Sequence, residues 1–242
     1  MYQFDIKIAG MTFHITSQYK GCPAICREYL IQDQGEHNIV LTAEDITYER
    51  ACCAKEKGID ENLKNAHADY IETFSLLRKL AEYITAYNRV LMHGSAIAID
   101  GKGYIFTALS GTGKSTHTAL LRKKFGERAV MVNDDKPFLH IDGNQVYVCG
   151  TPWRGKHNIG ENIIVPLKGI FFLRRSEENV LKKMAPEDAV TLLAAQCYRP
   201  SDPVQMMDTL SLMDSILTNV PLYDFGCNMD MSAAELSSSV MK

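Results

Sequence analysis

The sequence predicts an α/β protein in two regions, N-terminal strands and helices over residues 1–88 and a larger mixed region over 89–242. Three observations carry that prediction. Apolar and polar residues alternate near the start, in Phe4, Ile6 and Ile8 and again in Phe13 and Ile15, which is the period of a half-buried strand. From Val90 onward, apolar runs with strand character alternate with helical patterns. One of those runs, Tyr104 to Ala108, leads straight into a glycine-rich turn and then a helix.

The elements follow in order. Residues 1–41 read as short strands and turns, punctuated by Gly10 and by Gly21-Cys22-Pro23. Thr42-Ala43-Glu44-Asp45 resembles a capping box and opens a helix running to about Lys57, ended by Gly58. Asp60 opens a longer helix, in which Leu63, Ala66, Tyr70, Phe74, Leu77, Ala81 and Ile84 form one apolar stripe. Leu91 to Ile99 is one apolar run with strand character, Asp100-Gly101-Lys102-Gly103 a turn, and Tyr104 to Ala108 a second strand. A helix runs from Lys114 to about Lys124 and stops at Gly126. Ala129 to Val132 is a third strand, stopping at Asn133-Asp134-Asp135. Phe138 to Ile141 and Val146 to Cys149 form a hairpin about Asp142-Gly143-Asn144, and Gly169 to Leu173 is a further strand. The tail is mainly helical, with starts at Pro186 and Asp202-Pro203; Met206, Met207, Leu210, Met213, Ile216 and Leu217 form a core-facing stripe.

Composition narrows the function classes. At 242 residues, 46% hydrophobic and 23% charged, the chain can bury a sizeable core. A net charge of -3 offers no broad basic field for nucleic acid. No apolar run reaches the ~18 residues of a membrane span. The start, Met1 to Lys7, lacks a basic stretch followed by an apolar segment, which predicts a cytoplasmic protein. The 7 cysteines are scattered and form no CxxC pair, so they read as reduced, mostly buried thiols rather than a zinc site.

The chemistry concentrates in Ser110-Gly111-Thr112-Gly113-Lys114-Ser115-Thr116. Glycines let backbone N–H groups turn inward around a phosphate, and the helix start adds unpaired N–H donors and its positive dipole end. Lys114 reaches the β- and γ-phosphates of a nucleoside triphosphate, and the Ser115 hydroxyl suits Mg²⁺. The full phosphate-loop pattern begins with glycine, where this chain has Ala108. Downstream, Asp134 and Asp135 follow an apolar strand, where one carboxylate can serve the metal and the other can accept a hydroxyl proton. Upstream, His93-Gly94 interrupts an apolar run, a place where a histidine is more often a core residue. Thr151-Pro152-Trp153-Arg154-Gly155-Lys156-His157 holds the single Trp, and Arg154 and Lys156 there can neutralise charge on a transferring phosphoryl group. Arg174-Arg175 is a weaker candidate, because Glu177 and Glu178 can pair with it.

Taken together, His93-Gly94, the loop from Ser110 to Ser115 and the pair Asp134-Asp135 resemble the catalytic domain of bacterial HPr kinase/phosphorylase. That domain is related to the core of ATP-dependent phosphoenolpyruvate carboxykinase. The smaller kinase-like proteins of the superfamily also carry a segment similar to Gly150 to His157. The resemblance implies a phosphate-loop core with a mixed sheet over 89–242, ATP and Mg²⁺ as ligands, and transfer of the γ-phosphoryl group to a hydroxyl. The acceptor is left open between a Ser of a protein or peptide and a small hydroxylated metabolite. It further implies that Ser110 to Thr116 hold the nucleotide, that Ser115 and Asp135 serve Mg²⁺, that Asp134 is the base, and that His93 lies near the phosphates or the acidic pair. Residues 1–88 do not resemble the regulatory domain of the HPr-phosphorylating enzyme, and Gly150 to His157 differs from its glycine-rich signature. Decarboxylating chemistry of the carboxykinase kind and a non-catalytic nucleotide sensor are the alternatives. The family often assembles, so a homo-oligomer is compatible with the resemblance; no nucleic-acid or membrane partner is expected.

Overall fold

The computed structural model describes residues 1–55 and 66–241. They form two compact units, Met1–Tyr83 and Ile84–Lys242.

In the first unit, β1 (Tyr2–Ile8) and β2 (Met11–Ser17) form an antiparallel hairpin, and β3 (His37–Val40) lies parallel to β2. Phe4, Ile6 and Ile8 are buried together with Phe13 and Ile15, as the alternation requires. Gly21-Cys22-Pro23, read as turn punctuation, instead lies within a short helix, α1 (Gly21–Ile25). α2 (Ala43–Lys55) starts on a reciprocal cap. The Thr42 N–H donates to Asp45 Oδ2 at 2.9 Å, and the Asp45 N–H donates to Thr42 Oγ1 at 3.3 Å. The expected stop at Gly58, the helix start at Asp60 and Leu63 lie outside the described residues.

The stripe expected on the next helix, α3 (Ala68–Ile84), holds at Leu77, Ala81 and Ile84, which are buried, and is corrected at Tyr70 and Phe74. Tyr70 is exposed and Phe74 half-buried, while Ile71, Leu76, Leu80 and Ile84 are buried with Leu77 and Ala81. The buried face also carries Glu72, whose carboxylate accepts from the N–H groups of Gln18 at 2.6 Å and Tyr19 at 3.0 Å. A buried carboxylate with two backbone donors is compensated. A count of apolar residues does not see that compensation, and so it does not report that Glu72 is on the buried face.

The second unit is built on a mixed sheet. Its strands are β4 (Arg89–Leu91), β5 (Ser95–Ile99), β6 (Lys102–Thr107), β7 (Ala129–Asn133), β8 (Phe138–Asp142), β9 (Gln145–Cys149), β10 (Ile164–Arg175), β11 (Val180–Lys183) and β12 (Leu222–Cys227). The order is β4-β8-β9-β10-β6-β5-β7, with β12 on β10 and β11 on β12. β10 joins the two halves. Its first residues, Ile164 to Pro166, run antiparallel to β9, while its later part lies parallel to β6 and to β12.

Helices cover both faces. Ile105, Ile170 and Phe172 point to one face and pack with Leu193 of α5 (Pro186–Ala194) and with Leu212, Met213 and Ile216 of α6 (Pro203–Asn219). Tyr104, Phe106, Phe171 and Leu173 point to the other and pack with Leu121 of α4 (Lys114–Phe125) and with Ala233 and Ala234 of α7 (Met231–Ser238). Successive residues of β6 and β10 thus serve opposite layers, so these strands read as continuous apolar runs. Phe106 and Phe171 stack with centroids 4.8 Å apart; burying each such side chain contributes about 2–3 kcal/mol.

Three expectations change here. The run from Leu91 to Ile99 is two strands, not one. Between them the N–H groups of Met92, His93 and Gly94 donate to the carbonyls of Pro137, Gln196 and Asp135, which takes the chain out of one ladder and into another. The tail contains β11 and β12 as well as helices. On α6 the expected stripe holds at Met213, Ile216 and Leu217, which are buried with Thr209 and Leu212, but fails at Met207, 64% exposed, and Leu210, 46% exposed. Among the described residues, no helix is long and apolar enough to cross a membrane. All seven cysteines are free thiols, and burial pushes Cys26, Cys149 and Cys197 up to about 12, which makes them poor nucleophiles.

His117 ties α4 to α7. Its ring lies between Phe106 and Phe225, and its Nε2 is 3.0 Å from Ser237 Oγ. Burial lowers its pKa from 6.5 to about 4. The unfolded chain therefore takes up the proton first, so the contribution of neutral His117 is complete above its unfolded pKa and is lost as pH falls from 6.5 to about 4. Stability should fall by ~3 kcal/mol over that window. Denaturant midpoints measured between pH 7 and pH 4 check this, and His117→Gln should flatten that part of the pH dependence.

Candidate active site

β6 ends at Thr107, the loop runs over Ala108 to Gly113, and α4 begins at Lys114. Ala108, in place of the usual first glycine, is 9% exposed and packs in the cluster with Leu121 and Phe106, so its methyl group is absorbed by the core. Gly111 and Gly113 have φ of +77° and +122°, a backbone that side-chain-bearing residues rarely adopt, and nothing lies within 4 Å of where their Cβ atoms would be. Gly113 caps α4 without a side-chain hydrogen bond, which leaves first-turn N–H groups directed outward for an anion.

Lys114 is buried, and its Nζ donates to the carbonyls of Ala108 at 3.1 Å and Leu109 at 3.4 Å. Burial lowers its pKa, against the opposing pull of Asp135 and Asp134. The ammonium is therefore held inside the loop and within electrostatic reach of both carboxylates. Open glycine backbone, an uncapped helix start and an enclosed ammonium fit a polyphosphate.

The acidic pair is held at a corner. Asn133, fully buried at the end of β7, accepts on its Oδ1 from the N–H groups of Asp135 at 2.8 Å and Lys136 at 2.7 Å. Its Nδ2 donates to the Thr151 carbonyl at 3.0 Å and Thr151 Oγ1 at 2.9 Å. This corner ends the strand, so the two aspartates escape the alternation that would send them to opposite faces. Asn133→Ala leaves buried donors and acceptors unpaired and should cost ~2–4 kcal/mol of stability, read as a lowered urea midpoint.

The two carboxylates then differ in company. Asp134 is buried and accepts from Ser95 Oγ at 2.6 Å; Ser95 in turn lies 3.0 Å from Thr118 Oγ1 on α4. Asp135 is half-buried and lies 3.3 Å from His93 Nε2. Burial pushes the Asp135 carboxyl up, but the His93 hydrogen bond, Lys136 and Lys114 outweigh it and hold it below the usual range. His93 is brought there by backbone: the Gly94 N–H donates to the Asp135 carbonyl at 3.0 Å, and Thr107 Oγ1 donates to the His93 carbonyl at 2.7 Å.

The basic segment runs beneath the pair. Thr151, Trp153 and Arg154 are buried, and Thr151 Oγ1 donates to the Lys136 carbonyl at 2.7 Å. Gly155 has φ of +65°, and a Cβ there would lie 3.1 Å from Asp135 Cβ, so the turn passes directly against that aspartate. Lys156 and His157 are exposed beyond it. The structure therefore gathers Lys114, Asp134, Asp135, His93 and the turn at Gly155, while Ser110 and Thr116 stand exposed at the loop's outer side.

No family model matches the sequence, and no curated protein matches it. Among solved structures, the chain is similar to the Hpr(Ser) kinase/phosphatase from Coxiella burnetii. The identity is 13% and the TM-score 0.38, over 62% of this chain and 93% of that one.

Sequence reasoning missed several residues of the site. Ser95 was visible only as one hydroxyl in an apolar run, and Asn133 only as part of a polar turn. The pairing expected for Arg174-Arg175 is corrected. Arg174 pairs with Asp224 at 3.1 Å rather than with Glu177 or Glu178, because β12 lies beside β10. Arg175 Nη2 donates to the Gly111 carbonyl at 2.6 Å, on the glycine-rich loop itself. No local signal reports a partner 64 positions away.

Proposed function

We propose that the chain is an ATP-dependent phosphotransferase that moves the γ-phosphoryl group to a hydroxyl acceptor. The reading is carried by one observation: a buried lysine at an uncapped helix start, within electrostatic reach of two carboxylates of different surroundings. In this reading the loop N–H groups of Ser110 to Thr116 and the Lys114 ammonium hold the phosphates. Ser115 and Asp135 would hold Mg²⁺, which when bound supplies positive charge to the β- and γ-oxygens. His93 orients Asp135 and keeps its carboxylate ionised. Asp134 takes the proton of the acceptor hydroxyl, with Ser95 fixing one of its oxygens. Arg154 and Lys156 add positive charge along the turn that passes the pair. Most of the rate comes from positioning and charge compensation, since the transferred group needs little covalent help.

Incubating the protein with γ-labelled ATP, Mg²⁺ and a cell extract tests the reading. Label should move to a protein or to a small molecule, and should not move with Lys114→Ala. Label recovered only in ATP and inorganic phosphate would sink phosphotransfer to a hydroxyl.

A further inference from the structure

One cleft lies beside the loop. It has a volume of about 120 Å³ and runs along the side of α4. It is lined by buried Asp134, half-buried Ser115 and exposed Arg122 and His157, with Met131 and Ile159 as apolar lining. The spacing is set by the helix. Ser115 and Arg122 are two turns apart on one face of α4, about 10 Å along the axis. Helical side chains lean toward the N-terminus, which is the direction from Arg122 toward Ser115, and both residues line the cleft.

The charges are arranged in one direction. Asp134 is buried with Ser95 as its hydrogen-bond partner on Oδ1. Arg122 and His157 are exposed and make no ion pair with the described residues. A guanidinium with its donors available, facing a short cleft that ends on a carboxylate, suits a molecule that is a hydroxyl at one end and an anion at the other. A cavity of ~150 Å³ just admits benzene, so the recessed part of this open cleft takes a chain of a few heavy atoms.

We infer that this cleft is the acceptor site and that the acceptor is a small hydroxy acid, its hydroxyl at Asp134 and its carboxylate at Arg122 and His157. The inference rests on the phosphotransfer reading. The acceptor oxygen forms a bond to the γ-phosphorus, and the bond from that phosphorus to the β,γ-bridging oxygen breaks. Its electron pair leaves with the nucleoside diphosphate, and the hydroxyl proton passes to the Asp134 carboxylate. The same hydroxyl–carboxylate chemistry occurs on a peptide serine next to an acidic residue, but the cleft volume favours the free molecule.

The full chain is titrated by saturation-transfer NMR, without nucleotide, with glycerate and 3-hydroxypropionate and with their neutral counterparts glycerol and 1,3-propanediol. The acids should bind at least about tenfold more tightly than the diols. Arg122→Ala should remove that preference, Arg122→Lys should restore part of it, and ATP affinity should be unchanged in both. A second arm adds γ-labelled ATP and Mg²⁺ and compares transfer to the acids, the diols and an acidic serine peptide. Equal binding of acids and diols, an acid affinity untouched by Arg122→Ala, or transfer to the peptide alone would each overturn the inference. Arg122-dependent binding of acids without any transfer would support the hydroxy-acid site and count against phosphotransfer.

Discussion

Lys114→Ala is expected to abolish triphosphate binding in calorimetry, with affinity falling by about two to three orders of magnitude. The ammonium is enclosed by the loop, held 3.1 Å from the Ala108 carbonyl, and already partly dehydrated. A charge-assisted contact to phosphate from such a position contributes ~2–4 kcal/mol, more than an exposed lysine would. The variant should fold, because alanine favours the helix. An unchanged affinity for ATP would remove the loop from the site. Lys114→Arg is the harder test. A longer, planar head in the same enclosure should also bind poorly, which separates a shape requirement from a simple charge requirement.

The second large effect belongs to Asp134→Asn. Transfer should fall by about 10³-fold while ATP binding stays near its original value. The amide keeps the volume and can still accept from Ser95 Oγ, so the corner at Asn133 and the neighbouring Asp135 stay in place. What is lost is the capacity to take a proton. Asp135→Asn should instead weaken the Mg²⁺ dependence of binding and release His93, giving a different pattern in the same two assays. If Asp134→Asn retains transfer, the proton goes elsewhere and the two carboxylates have their roles exchanged or shared.

Much of the second unit is legible from local pattern. The strand ending at Thr107, the helix from Lys114, the hairpin about Gly143 and the strand stopping at Asn133 all lie where apolar periodicity and turn residues place them. The errors share a cause. On α3 the apolar pattern does not report Glu72, which is buried against backbone donors 53 and 54 positions away. The run from Leu91 to Ile99 divides because its middle residues donate to Pro137, Gln196 and Asp135 rather than along one ladder. β12 was hidden in an apolar stretch after a helix, and it becomes a strand by lying parallel to β10. In each case the deciding partner is distant in sequence, and a window of neighbouring residues carries no information about it.

The candidate site divides along the same line. By itself the sequence determined where the glycine-rich turn, the helix start and Lys-Ser lie, because these are local features contained within Ser110 to Thr116. It also marked the acidic pair, the histidine and the basic segment as separate candidates. Only the tertiary structure decided how they are used. It set Ser95 on Asp134 and His93 on Asp135, placed Gly155 against the pair, brought Arg175 onto the loop and opened a cleft between Asp134 and Arg122. The physical reason is that a side chain's partner is set by strand order and register, here β5 beside β6 and β7, and those follow from the packing of the whole sheet.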